Sequence, residues 1–103
     1  NGIFTISRLV EVESVPEEFG IESVYPNPFN PVTTMSFKVP MDSKVSMQVY
    51  NVQGRLIETL IDQNMQAGYH SITWNADDQS SGVYFVKMMA GEHISTQKLL
   101  LVK

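Results

Sequence analysis

Between residues 25 and 31 the chain reads Tyr-Pro-Asn-Pro-Phe-Asn-Pro, and this stretch limits the fold more than any other. Each proline fixes φ at about −65° and removes a backbone donor. The residues ahead of them, Tyr25, Asn27 and Asn30, are driven from the helical region toward extended geometry. Asn27 and Asn30 can also fold their side chains back on the local backbone as Asx turns. A helix is excluded here, and so is a central strand, which would need the missing donors. The segment is expected to be a stiff, extended, non-pairing lead-in to a strand.

From Thr34 onward the sequence alternates. Met35, Phe37 and Val39 interleave with Thr34, Ser36 and Lys38; Pro40 stops that strand, and Met41-Asp42-Ser43 makes the turn. Val45, Met47 and Val49 then interleave with Ser46, Gln48 and Tyr50. Period two of this kind describes strands with one face on a core and the other in water. Asn51-Val52-Gln53-Gly54 has Asn first and Gly fourth, the preference of a type I turn, and predicts a hairpin into Arg55–Ile61. There the alternation fails, because Leu56, Glu58 and Leu60 share one face and Ile57 and Ile61 the other. The run is either a bulged strand or a short helical turn.

Ala67-Gly68 turns the chain again, into a strand with His70, Ile72 and Trp74 on one face. Asn75–Gly82 is a loop by composition. Val83–Met89 is a strand with Tyr84, Val86 and Met88 opposite Lys87, and Ala90-Gly91-Glu92 turns into a last strand, His93–Val102. Upstream, Ile3–Val10 is rich in β-formers; it either ends a preceding domain or pairs with this one. The regular spacing predicts an all-β fold, an immunoglobulin-like antiparallel sandwich of about seven strands. Residues 1–19 read as an N-terminal strand and acidic linker, and residues 20–103 as the sandwich domain.

Charge supports that division. The net charge is −4, and residues 1–22 carry five acids against one base, so the remainder is neutral. The chain has no basic footprint for nucleic acid, and no apolar run of the roughly 20 residues a membrane helix needs. Cysteine is absent, which rules out disulfides and thiolate metal sites. Starting at Asn1, without an initiator methionine or signal peptide, the chain is expected to be a piece of a longer polypeptide.

Nothing in the residues gathers as a catalytic centre. His70 shares a face with Ile72 and Trp74 and is expected to be a partly buried strand histidine; His93 follows a turn and is expected in solvent. No serine sits in a Gly-x-Ser-x-Gly elbow. Asp77 and Asp78 are adjacent acids, but they lack the spaced pattern of a calcium loop, and an Asx turn accounts for them. Trp74 is assigned to the core, as are Met35, Met47 and Met88. Tyr50 and Tyr69 point outward and could form a surface patch. No enzyme, cofactor or metal is expected.

Several motifs succeed one another in order: Tyr25–Thr34, the strand Val45–Tyr50, Asn51-x-x-Gly54-Arg55, Ala67-Gly68-x-His70, Trp74-Asn75, Ser81–Phe85 and Lys98–Lys103. The ordered set resembles the type A C-terminal sorting domain of the type IX secretion system of Bacteroidetes-like bacteria, from about Ile21 to the last residue. It is also similar to the immunoglobulin-like domain of flagellar hook-capping proteins. That relative has a longer, Gly-containing loop before its Ser-Gly-Val-Tyr.

The resemblance implies a non-catalytic signal that takes a covalently linked N-terminal passenger through the outer membrane. The domain would then be cleaved off by a surface sortase, and the passenger released or attached to surface lipopolysaccharide. Its partners would be the translocon and sortase components, and its destination the cell surface or the medium. The family's recognition elements map onto Pro26, Asn27 and Pro28, onto Gly82, Val83 and Tyr84, and onto Lys98 to Lys103, Val102 included. Its cleavage zone maps onto Glu11–Gly20. A plain structural or adhesive spacer is the alternative, followed by a carbohydrate-binding module using Tyr50, Tyr69 or Trp74. If the last strand lies at a sheet edge, its unpaired backbone would be open to a partner.

Overall fold

The computed structural model describes residues 16–103; the expected strand Ile3–Val10 and the first part of the acidic linker lie outside the described residues. Seven strands run through the described part: β1 Gly20–Tyr25, β2 Val32–Val39, β3 Ser43–Asn51, β4 Leu56–Met65, β5 Gly68–Asn75, β6 Gly82–Ala90 and β7 His93–Leu101. They form two antiparallel sheets, ordered β1-β2-β5 and β4-β3-β6-β7. The expected all-β sandwich is therefore what the chain adopts.

Side-chain alternation sorts the faces. Thr33, Met35, Phe37 and Val39 of β2 are buried, as are Val45, Met47 and Val49 of β3 and Tyr84, Val86, Met88 and Ala90 of β6. Leu99 and Leu101 of β7 and Trp74 of β5 complete one continuous core between the sheets. Burying side chains of this size contributes about 1.5–3 kcal/mol each, which is the main force holding the layers together.

In β4 the bulged alternative is realised. Its pairing with β3 slips twice: Ile61 opposes Met47 but Thr59 opposes Gln48, and Glu58 opposes Val49 but Leu56 opposes Tyr50. Each slip inserts one extra residue and reorients the next. As a result Ile57, Leu60 and Ile61 all pack on the core, while Leu56 stays 47% exposed. The Asn51–Gly54 turn forms as expected. The Gly54 N–H donates to the Asn51 carbonyl at 3.0 Å, and Gly54 adopts φ +82°, a conformation glycine takes without penalty.

Two expectations are corrected by the fold. No strand was expected between the acidic linker and the prolines, whereas Gly20–Tyr25 pairs with β2. A slip between Ile21 and Ser23 leaves Glu22 in a bulge and erases the period-two pattern. The proline segment is also not unpaired, because Phe29 makes a parallel bridge with Leu101. Its N–H donates to the Leu100 carbonyl and its carbonyl accepts the Val102 N–H, both at 2.9 Å. Phe29, unlike its proline neighbours, keeps its backbone donor.

The two flanks of the sandwich differ. On one, β1 and β7 come together, and the Ile21 N–H donates to Ser95 Oγ at 3.2 Å. On the other, β4 and β5 are not hydrogen-bonded neighbours; there the Trp74 indole N–H donates to Glu58 Oε1 at 3.0 Å.

Candidate functional site

The three segments that carry the sequence motifs lie far apart in the chain, yet they meet at one end of the sandwich. β6 and β7 pair Gly82 with Leu101, Val83 with Leu100 and Tyr84 with Leu99. Phe29 then lays the proline segment along the far side of β7. Asn27 extends that contact with its side chain. Its Oδ1 accepts the Leu100 N–H at 3.0 Å, and its Nδ2 donates to the Lys98 carbonyl at 3.0 Å. An asparagine amide has one acceptor and one donor edge, so it can satisfy a strand edge as a neighbouring peptide would.

Buried aromatic packing fixes this end from beneath. Phe29 is 2% exposed, with its ring centroid 5.6 Å from that of Trp74; Trp74 in turn meets Tyr84 edge-on at 5.6 Å. The Tyr84 hydroxyl donates to the Ser80 carbonyl at 2.6 Å, the backbone tie made by the tyrosine corner of immunoglobulin-like sandwiches. Buried Thr33 donates through Oγ1 to the Pro26 carbonyl at 2.7 Å, and the Ala76 N–H donates to the Pro31 carbonyl at 2.8 Å. The chain end is tied as well. The Lys103 N–H donates to Ser81 Oγ at 3.0 Å, and its ammonium to the Asp77 carbonyl at 2.6 Å.

The expected recognition residues divide by exposure. Pro26, Asn27, Pro28, Lys98, Val102 and Lys103 are exposed, and Gly82 and Val83 are half-buried. Tyr84 is 6% exposed and belongs to the core. Gly82 has φ +151° with no atom within 4 Å of where a Cβ would stand, so its constraint is the backbone and not a contact. The edge of β7, expected to be open, is closed over Lys98–Val102 by Asn27 and Phe29. The signal that sequence reasoning passed over was Phe29 itself, a large apolar residue in an otherwise polar, proline-rich run.

The other candidates take modest places. His70 stacks on Phe37 at 5.4 Å and donates through Nε2 to the Gln66 carbonyl at 2.7 Å. His93 is exposed and stacks on Phe19 at 4.7 Å. Asn75 Oδ1 accepts the Asp77 N–H at 3.0 Å, the Asx turn that closes the loop. Trp74, at 1% exposure, cannot stack on a sugar. Among the described residues no three His, Asp or Glu gather as a metal site, and no helix is long and apolar enough to cross a membrane.

Residues 23–103 match the model of a family described as the secretion system C-terminal sorting domain. No curated protein matches the chain. Among solved structures it is similar to PorZ, an essential bacterial surface component of the type IX secretion system of Porphyromonas gingivalis. The identity is 20% and the TM-score 0.57, over 81% of this chain and 11% of PorZ. The chain thus spans about a ninth of that protein's length, and the likeness shows a shared fold.

Proposed function

Because this chain belongs to the secretion system C-terminal sorting domain family, we propose that the end surface formed by Pro26–Pro28 and Lys98–Lys103 is where a type IX translocon reads it. The chain is a sorting signal of that system, in a family whose members are non-catalytic, and such a signal implies export to the cell surface or the medium. In this proposal residues 20–103 are the signal, and a passenger is linked upstream. A sortase cuts between Glu11 and Gly20, and the passenger is then released or anchored.

One observation supports the surface above others: Asn27 and Lys98–Leu100 are more than seventy residues apart in the chain yet hydrogen-bonded to each other. The exposed residues around that contact include two lysines and Val102, which is 50% exposed. They sit on a backbone already ordered by prolines and by β7. A partner binding there has little conformational entropy to remove. Tyr84 and Gly82 serve the surface from beneath, as its support.

The test is a fusion of residues 20–103 to a reporter in a type IX-competent host. The parent fusion should reach the cell surface or the medium. The pair Lys98→Glu and Val102→Asp changes exposed side chains, so the domain should still fold while the reporter accumulates in the periplasm. Normal export of a folded double variant would overturn the proposal.

A further inference from the structure

The layers are unequal: three strands face four. On the β1/β7 flank the edges meet. The fourth strand of the larger sheet, β4, has no hydrogen-bonded counterpart beside β5. Along this flank Ile57, Leu60 and Met65 of β4 and Ile72 of β5 are packed on the core but only partly covered. A strand added next to β5 would lie over them.

The backbone of β5 is suited to receive one. The Ala76 N–H bonds across to Pro31, and bonding alternates along an antiparallel pair. His70, Ile72 and Trp74 therefore direct their backbone groups to β2, and Tyr69, Ser71, Thr73 and Asn75 direct theirs outward. Those outward groups have no partner among the described residues.

Natural edges are usually blunted by charge, proline or a bulge. Three of the four edges here are so treated. β1 has the Glu22 bulge and Pro26 after it; β4 has two bulges with Glu58 and Asp62; β7 is covered over Lys98–Val102 by Asn27 and Phe29, and its Ser95 meets Ile21 of β1. β5 has none of these: its register with β2 is unbroken over eight residues, and it contains no Asp, Glu, Lys, Arg or Pro.

We infer that the β5 edge is a strand-addition site for an extended segment of another protein. The occupant is neutral or basic, since the acid that the facing strand β4 turns to this flank is Glu58, whereas Asp62 lies on the outer face, paired with Lys44 at 3.7 Å. Its side chains are apolar at alternate positions, to cover Ile57, Leu60 and Ile72. This site is separate from the proline-lined end and does not depend on its role.

The probe is a synthetic peptide, Lys-Val-Thr-Val-Thr-Val-Lys, titrated into the full chain with residue-resolved amide exchange as the readout. Exchange at Tyr69, Ser71, Thr73 and Asn75 should slow by about tenfold or more, with β1 and β7 unchanged. A peptide N-methylated along one edge should have no effect. Ser71→Pro removes only an outward donor, which an edge strand tolerates, and should abolish the protection while the chain still melts cooperatively. Equal protection by a peptide with Glu in place of Lys would overturn the inference. So would protection at other edges, or edge amides already protected in the peptide-free chain, whether it sediments as a dimer or as a monomer.

Discussion

Asn27 treats Leu100 as a neighbouring strand would, accepting its N–H at 3.0 Å while donating to the Lys98 carbonyl next to it in the ladder. Asn27→Ala should remove both bonds and destabilise the domain by about 1–2 kcal/mol, measured by denaturant unfolding. Amide exchange at Leu100 should accelerate at the same time. Asn27→Asp keeps the acceptor but sets a charge against the Lys98 carbonyl, and should be no better than alanine. An unchanged Leu100 amide in Asn27→Ala would show that the bond contributes nothing.

Glu58 and Trp74 form the polar link across the more open flank. Glu58→Gln keeps an acceptor and should be close to neutral. Glu58→Leu leaves the indole N–H of a 1% exposed ring without its partner and should cost about 1–3 kcal/mol. Trp74 is the only tryptophan of the chain, so its fluorescence reports the change directly: an emission shift in Glu58→Leu and none in Glu58→Gln.

Tyr84→Phe removes the hydroxyl that ties β6 to Ser80 at 2.6 Å while leaving the ring against Trp74. The expected loss is about 1 kcal/mol of stability. If Tyr84 acts only from beneath the surface, a reporter fused to this variant should be exported as well as the parent at a temperature where both are folded. A folded but retained Tyr84→Phe would give the tyrosine a direct part in recognition.

Removing Lys98–Lys103 takes away Leu99 and Leu101, at 0% and 1% exposure, along with the exposed residues. Each leucine is worth about 2–5 kcal/mol in such a position, comparable in sum to the whole stability of a small domain. That truncation should therefore unfold the chain, as seen by loss of near-ultraviolet circular dichroism. Removing Val102 and Lys103 alone should leave it folded.

The core was legible because β2, β3 and β6 are strands buried on one face, where a period of two separates inside from outside without ambiguity. Met35, Phe37, Val45, Met47, Tyr84 and Val86 all fell on the side the pattern gave them. β1 was illegible for the opposite reason: Glu22 in its bulge and exposed Ser23 and Tyr25 leave no period to detect. At the candidate site the motifs were visible but their assembly was not. That Asn27 bonds Leu100, and that Phe29 closes the β7 edge, comes from how the layers close and not from any local propensity.

The parallel bridge between Phe29 and Leu101 joins the proline segment ahead of β2 to the end of β7. An unfolded chain carries the same Pro-Asn-Pro and the same terminal lysines, but it does not hold them side by side. A receptor that gripped both at once, as proposed here, would therefore test whether folding has finished.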